Sequence, residues 1–199
     1  MATIEEFALL VEPFAMNDSL QGCFLIASPH LPDPNFFRTV VLIIHHDDEG
    51  AFGLILNRPL EQTVAEVWDL VADSDCSCRQ PINLGGPVDG QLMALHCNPE
   101  AAERPVVPGV YFSLEPEELE QIVQEPQGPF LMFSGYSGWG AGQLESEMQV
   151  GGWLTLPATR ELVFADQEKL WKLATERVGL EILAPMLKSA PLPDDPSCN

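Results

Sequence analysis

A chain of 199 residues, 46% of them hydrophobic and 20% charged, is long enough to bury one sizeable core and too ordinary in composition for general disorder. Nine Lys and Arg against thirty Asp and Glu give a net charge of −21, which repels phosphate backbones and anionic membrane surfaces. Direct contact with DNA needs a basic cluster; the nearest approach, Lys169, Lys172 and Arg177, is interleaved with Glu168 and Glu176 and reads as a solvated helix face.

The first residues, MATIEEFALLVEPF, carry Glu5, Glu6 and Glu12 and no basic residue, unlike a secretory signal, and no apolar run approaches the length of a membrane span. Cys23, Cys76, Cys78, Cys97 and Cys198 are odd in number and lack framework spacing, which fits a reducing cytosol. The expectation is a cytoplasmic single-domain protein, with residues 1–19 an N-terminal extension, 20–186 the core and 187–199 a disordered tail.

Apolar residues at 4, 7, 8, 10, 11 and 14 predict a short amphipathic helix over Ile4 to Phe14, ended by Pro13. Gly22 to Ser28 reads as the first buried strand. Pro29, Pro32 and Pro34 then impose a turn in which Asp33 can accept backbone N–H groups, followed by one helical turn over Asn35 to Arg38. Thr39 to His45 and Ala51 to Asn57 are continuously apolar and face each other across Asp47-Asp48-Glu49-Gly50, a hairpin whose strands need cover on both faces.

Pro59 ends the second of these strands, and Thr63-Val64-Ala65-Glu66 is a capping box opening a helix to about Ala72, with Val64, Val67, Trp68 and Val71 on its buried face. Asp73 to Gln80 reads as loop. Short strands follow at Ile82 to Leu84, Leu92 to Cys97 and Val110 to Ser113, with a turn at Gly85-Gly86-Pro87. Glu117 to Glu125 is an acidic surface helix behind Pro116, burying Leu119, Ile122 and Val123. Phe130 to Phe133 is strand, Ser134 to Gly142 a glycine-rich turn, Gln143 to Met148 a helix and Trp153 to Leu156 a strand. Asp166 to Val178 is an amphipathic helix with Leu170, Trp171, Leu173 and Ala174 available for burial, and Pro191 to Asn199 is the tail. Hairpins alternating with helices, without a βαβ repeat, define an α+β protein with a mixed sheet.

No catalytic or metal motif stands out. His45-His46-Asp47-Asp48 offers ligand types, but adjacent strand residues point to opposite faces, so no metal site is assigned. Cys76-x-Cys78 lacks the two-residue spacer of zinc knuckles and redox motifs. Ser137 in Gly135-Tyr136-Ser137-Gly138-Trp139 lacks the second glycine of a nucleophile elbow. Gly138 to Gly142 could cradle a phosphate, but Glu145 and Glu147 follow too closely to suit an anion. Arg38 and Arg58 flank core strands in a chain where arginine is scarce; they form either a two-armed clamp for a carboxylate or phosphate, or structural pairs with acids such as Asp33 or Glu145.

The ordered runs GxFLIASPxLxDPxFxRTVVLIxxH, GAxGLILNRP, NLGGPV and FxGYSGWGxGQLExE, with Trp153-Leu154 after them, resemble the YqgE/AlgH family from about Gly22 to Phe164. The resemblance implies an α+β fold whose mixed sheet is bifurcated and partly closed into a small barrel, surrounded by helices. It supplies no catalytic residue and no cofactor; the family's label of transcriptional regulator rests on a genetic link to alginate production. The family commonly has Ala at the position of Ser137. The expected role is regulatory, through a protein partner and not by DNA contact. The alternative is a small-molecule binder or enzyme acting on an anion, its pocket built from Asp33, Arg38, Asn57, Arg58, Gly85, Gly86, Trp139 and Glu145.

Overall fold

The structure is a computed structural model and describes residues 19–189 apart from 30, 32 and 73. The helix expected over Ile4 to Phe14 and the tail from Pro191 lie outside the described residues. Ten strands form one mixed sheet: β1 (Cys23–Ala27), β2 (Val40–Asp47), β3 (Gly50–Ile55), β4 (Pro59–Thr63), β5 (Pro81–Leu84), β6 (Val88–His96), β7 (Arg104–Val107), β8 (Val110–Ser113), β9 (Phe130–Gly140) and β10 (Trp153–Pro157). Five helices surround it among the described residues: α1 (Val64–Val71), α2 (Pro116–Gln124), α3 (Gln143–Gln149), α4 (Arg160–Val163) and α5 (Gln167–Ser189).

Continuous apolar strands are buried on both faces because successive side chains point to opposite sides of the sheet. Phe24 and Ile26 of β1, Val40, Leu42 and Ile44 of β2, and Leu54 of β3 face an inner core that also takes Leu95, Phe112 and Phe133 and is closed by Val163 of α4 and Leu170, Ala174 and Val178 of α5. The alternate residues Leu25, Ala27, Val41, Ile43 and Ile55 face a second core with Phe36, Trp139, Leu144 and Trp153. A third core, Val64, Trp68, Ile82, Ala94, Leu119, Ile122 and Met132, lies under α1 and α2. At about 25 cal/mol per Å2 of apolar area, each large side chain buried here contributes roughly 1.5–3 kcal/mol.

The strand order is β10-β1-β2-β3-β9-β6-β8-β7, and the sheet forks at β9. The first half of β9 pairs antiparallel with β6, from Phe130 opposite His96 to Ser134 opposite Leu92, and parallel with β5 at Phe133 and Ser134. Its second half, Ser137 to Gly140, pairs with Gly53 to Gly50 of β3, while β5 leaves with β4 as a separate branch. The sheet curls on itself: a Cβ on Gly22, beside β1, would lie 3.0 Å from the Val106 carbonyl oxygen of β7, at the far end of the strand order. This is the bifurcated, partly closed sheet expected of the family.

Three differences from the sequence reading have clear physical causes. The glycine-rich stretch after Phe133 is strand up to Gly140, with Gly135 at φ +72°, because its small residues serve close backbone packing and not a turn. Strands β4 and β7, absent from the sequence reading, carry Pro59 and Pro105, the mark of peripheral strands. Helix α5 continues past Gly179 to Ser189, since one glycine costs only about 1 kcal/mol against Ala in a helix. The capping box is present: Glu66 N–H donates to Thr63 Oγ1 at 3.3 Å and Thr63 N–H to Glu66 Oε2 at 2.8 Å.

Candidate functional site

Asp33 starts a 3-10 turn, Pro34–Phe36, by accepting the Asn35 N–H at 2.8 Å. The turn delivers Phe37 and Arg38 to the surface just before β2. Arg38 adopts φ +54°, the one positive φ outside glycine among the described residues, a left-handed conformation that costs a non-glycine residue roughly 1–2 kcal/mol. Asn57 locks this backbone in place, donating from Nδ2 to the Arg38 carbonyl at 2.9 Å while its Oδ1 accepts the Val40 N–H at 2.9 Å. Arg58 donates to the Phe37 and Asn57 carbonyls, and burial pushes its pKa down from the ordinary arginine value. Neither arginine pairs with a carboxylate among the described residues: Arg38 lies 5.2 Å from the Phe37 ring centroid and 5.3 Å from that of Trp171. The acids named as their partners are engaged elsewhere, Asp33 on the turn and Glu145 on His46.

Gly85 and Gly86 sit at the fork. The Gly85 N–H donates to Ser134 O at 2.9 Å, while its carbonyl accepts Ile55 N–H at 2.8 Å and Ser137 Oγ–H at 3.2 Å, so the residue bridges β3 and β9. Gly85 adjoins the arginine frame through the strand β5, whose Leu84 N–H donates to Arg58 O at 2.9 Å. Ser137 is fully buried and spent on this bond.

Trp139 and Glu145 belong to a different grouping. The indole N–H groups of Trp139 and Trp153 both donate to Glu147 Oε2, at 3.1 and 2.8 Å, and Gln143 Nε2 donates to Glu147 Oε1 at 3.0 Å. Phe36 packs against both indoles. Nearby, His46 Nδ1 accepts the Leu20 N–H at 2.9 Å, which places its proton on Nε2, 2.7 Å from Glu145 Oε1. The residue's own N–H, and then His46, hold the Glu145 carboxyl below the ordinary range. His45 is separately bonded to Asp47 at 2.8 Å, and the described residues contain no group of three or more potential metal ligands. The eight residues named from sequence thus divide into a frame (Asp33, Arg38, Asn57, Arg58, with Gly85 and Gly86 beside it) and two residues engaged elsewhere, Trp139 in the tryptophan cluster on Glu147 and Glu145 on His46.

The cluster makes a stability prediction. Glu147→Gln leaves an oxygen for both indoles but sets its new amide nitrogen against Gln143 Nε2, donor to donor. A loss of about 1–2 kcal/mol is expected from the urea midpoint at constant m; an unchanged midpoint would show that the carboxylate is not holding the two tryptophans.

A groove of about 890 Å3 lies between α1, α2 and β6, a place the sequence did not indicate. Trp68, Val71, Leu92, Leu114 and Leu119 line it, with Glu115, Glu117 and Glu120 along the α2 side. Val71, expected to be buried, is 62% exposed, and Leu173 of α5 is likewise exposed. Helical spacing alone assigns both to the core; α1 is only eight residues long and its buried residues, Val64, Ala65 and Trp68, stop short of its last turn. Trp68 is fixed by its Nε1–H donating to Ser74 Oγ at 3.2 Å.

Fold and comparison agree on the class of protein. Residues 24–183 match the AlgH-like family (DUF179), and the chain belongs to that family. It is 36% identical over 167 residues to a UPF0301 protein of Chlorobaculum tepidum, covering 80% of this chain and 87% of that one. It is 38% identical over 174 residues to a UPF0301 protein of Stenotrophomonas maltophilia, covering 82% and 92%. The solution structure of AlgH from Pseudomonas aeruginosa superposes with a TM-score of 0.69 at 32% identity, covering 90% of this chain and 98% of that one. A crystal structure from Corynebacterium diphtheriae has a TM-score of 0.65 at 21% identity, covering 81% and 88%, and shares the fold. No helix among the described residues is long and apolar enough to cross a membrane.

Proposed function

We propose that this protein acts as a regulatory interaction module, docking a basic, apolar-anchored segment of a partner protein in the groove between α1 and α2. The observation that carries the reading is the pairing of an apolar floor, Trp68, Val71, Leu92, Leu114 and Leu119, with an acidic margin, Glu115, Glu117 and Glu120. Such a surface suits the apolar face of a helix flanked by Lys or Arg. A second copy of this chain, itself at −21, has the wrong charge, and so does a nucleic acid. Any effect on transcription therefore runs through the protein partner.

The test is fluorescence anisotropy with a labelled amphipathic Leu/Lys peptide, its Leu/Glu counterpart, and duplex DNA at moderate salt. The Leu/Lys peptide is expected to bind and the other two are not. Val71→Asp makes the groove more acidic yet less apolar, so docking predicts at least a tenfold loss, whereas loose attraction to an acidic surface predicts no loss. Unaltered peptide binding by that variant, or tight salt-sensitive DNA binding by the unmodified protein, overturns the reading.

A further inference from the structure

The Arg38–Arg58 frame has no part in the groove, and its chemistry is of the opposite sign. Both arginines converge on Phe37, Arg38 over its ring and Arg58 on its carbonyl. Arg58 commits one N–H to each of two backbone carbonyls, which leaves three of its five donors, and Arg38 makes no side-chain hydrogen bond among the described residues. What sets these two apart is their shared contact with Phe37, reached by Arg38 on the ring and by Arg58 on the carbonyl, with donors of both left over. They are also built: Asn57 holds the Arg38 backbone in its left-handed conformation, and the Trp171 and Phe37 rings support its guanidinium. Strain of this kind persists only where surroundings enforce it.

We propose that Arg38 and Arg58 form a binding site for a phosphate monoester whose organic part is aromatic. Two guanidinium groups match the charge of a phosphate monoester, about −1.5 to −2 at neutral pH, better than the single charge of a carboxylate, and their planar forks suit its oxygens. The Phe37 ring, 58% exposed beside them, offers a face for an aromatic body to stack on. Arg58 is half-buried and fixed, so it positions the phosphate; Arg38 is exposed and closes on it from the ring side.

The experiment is isothermal titration of the full chain with phenyl phosphate, with inorganic phosphate, benzoate and phenol as comparisons. Saturable one-to-one binding of phenyl phosphate is expected, with inorganic phosphate and benzoate at least tenfold weaker and phenol silent. Arg38→Gly keeps the backbone conformation and removes the guanidinium, so it should lose at least tenfold in affinity with no drop in melting temperature. Arg58→Gln should lose as much; if it fails to fold, Arg38→Gly alone decides. Arg79→Gln, in the loop before β5, should bind as the unmodified protein does. No binding of phenyl phosphate at millimolar concentration, binding unaffected by Arg38→Gly, or inorganic phosphate and benzoate binding equally well would overturn the proposal.

Discussion

Gly86→Ala is expected to cost at least about 3 kcal/mol and to leave little soluble protein, although it adds one methyl group. A Cβ at this position would lie 2.2 Å from the Tyr136 carbonyl carbon, 2.3 Å from its oxygen and 2.4 Å from the Ser137 nitrogen. These are all backbone atoms of β9, so no rotamer change relieves the clash; the strand itself must move. Overpacking usually costs about 1–3 kcal/mol, and this site lies at the upper end because the displaced strand carries the pairing of both sheet branches. Gly140→Ala is the matched control. Nothing lies within 4 Å of a Cβ there, and a change within about 0.5 kcal/mol is expected. Equal urea midpoints for the two variants would remove the fork from the account of stability.

Acid sensitivity centred on His96 is the second large effect. The ring is 1% exposed, its Nδ1 accepts the Asn98 N–H at 3.2 Å, and its Nε2–H donates to Ser113 Oγ at 3.0 Å. Ser113 in turn donates to the Ala101 carbonyl at 2.5 Å, so the network has room for one proton on the imidazole and no more. Burial pushes the pKa down to about 4, against the upward pull of the Glu103 charge. The unfolded chain, with an ordinary value near 6.5, therefore binds a proton between about pH 6.5 and 4 that the folded protein refuses. This contribution to stability is fully present above about pH 6.5 and falls as the pH drops, by about 3 kcal/mol at pH 4. His96→Gln retains an acceptor and a donor without the titration. Urea midpoints at pH 7 and pH 4 should show the unmodified protein losing about 3 kcal/mol more than the variant over that interval. Equal losses would mean that the imidazole is not held neutral.

The parts of the fold that could be read from sequence are those in which one local rule decides the outcome. The β2–β3 hairpin follows from two apolar runs around Asp47 to Gly50, and the start of α1 from Thr63 and Glu66. The stretch Gly135 to Gly140 was misread because glycine-rich sequence signals a turn, whereas here the glycines admit a neighbouring backbone, a reason that lies in Gly85 and Gly86, some fifty residues away. The candidate site divides in the same way. Asp33, Arg38, Asn57 and Arg58 come together because they flank the paired strands β2 and β3. Trp139 and Glu145 come from a separate motif block expected to meet them in one pocket, and the fold instead places Trp139 on Glu147 and Glu145 on His46. The groove left no trace because Trp68 and Val71 obey the same spacing of buried residues, yet the fold buries Trp68 and exposes Val71.

Strand β9 also has a meaning in time. Both β3, complete by Ile55, and β6, complete by His96, pair with residues 130–140, and β1 near the start pairs with β10 at Trp153–Pro157. During synthesis these strands emerge from the ribosome with one edge open and remain so until the last third of the chain follows. Such late closure makes for slow folding and for a nascent chain whose apolar edges need shielding.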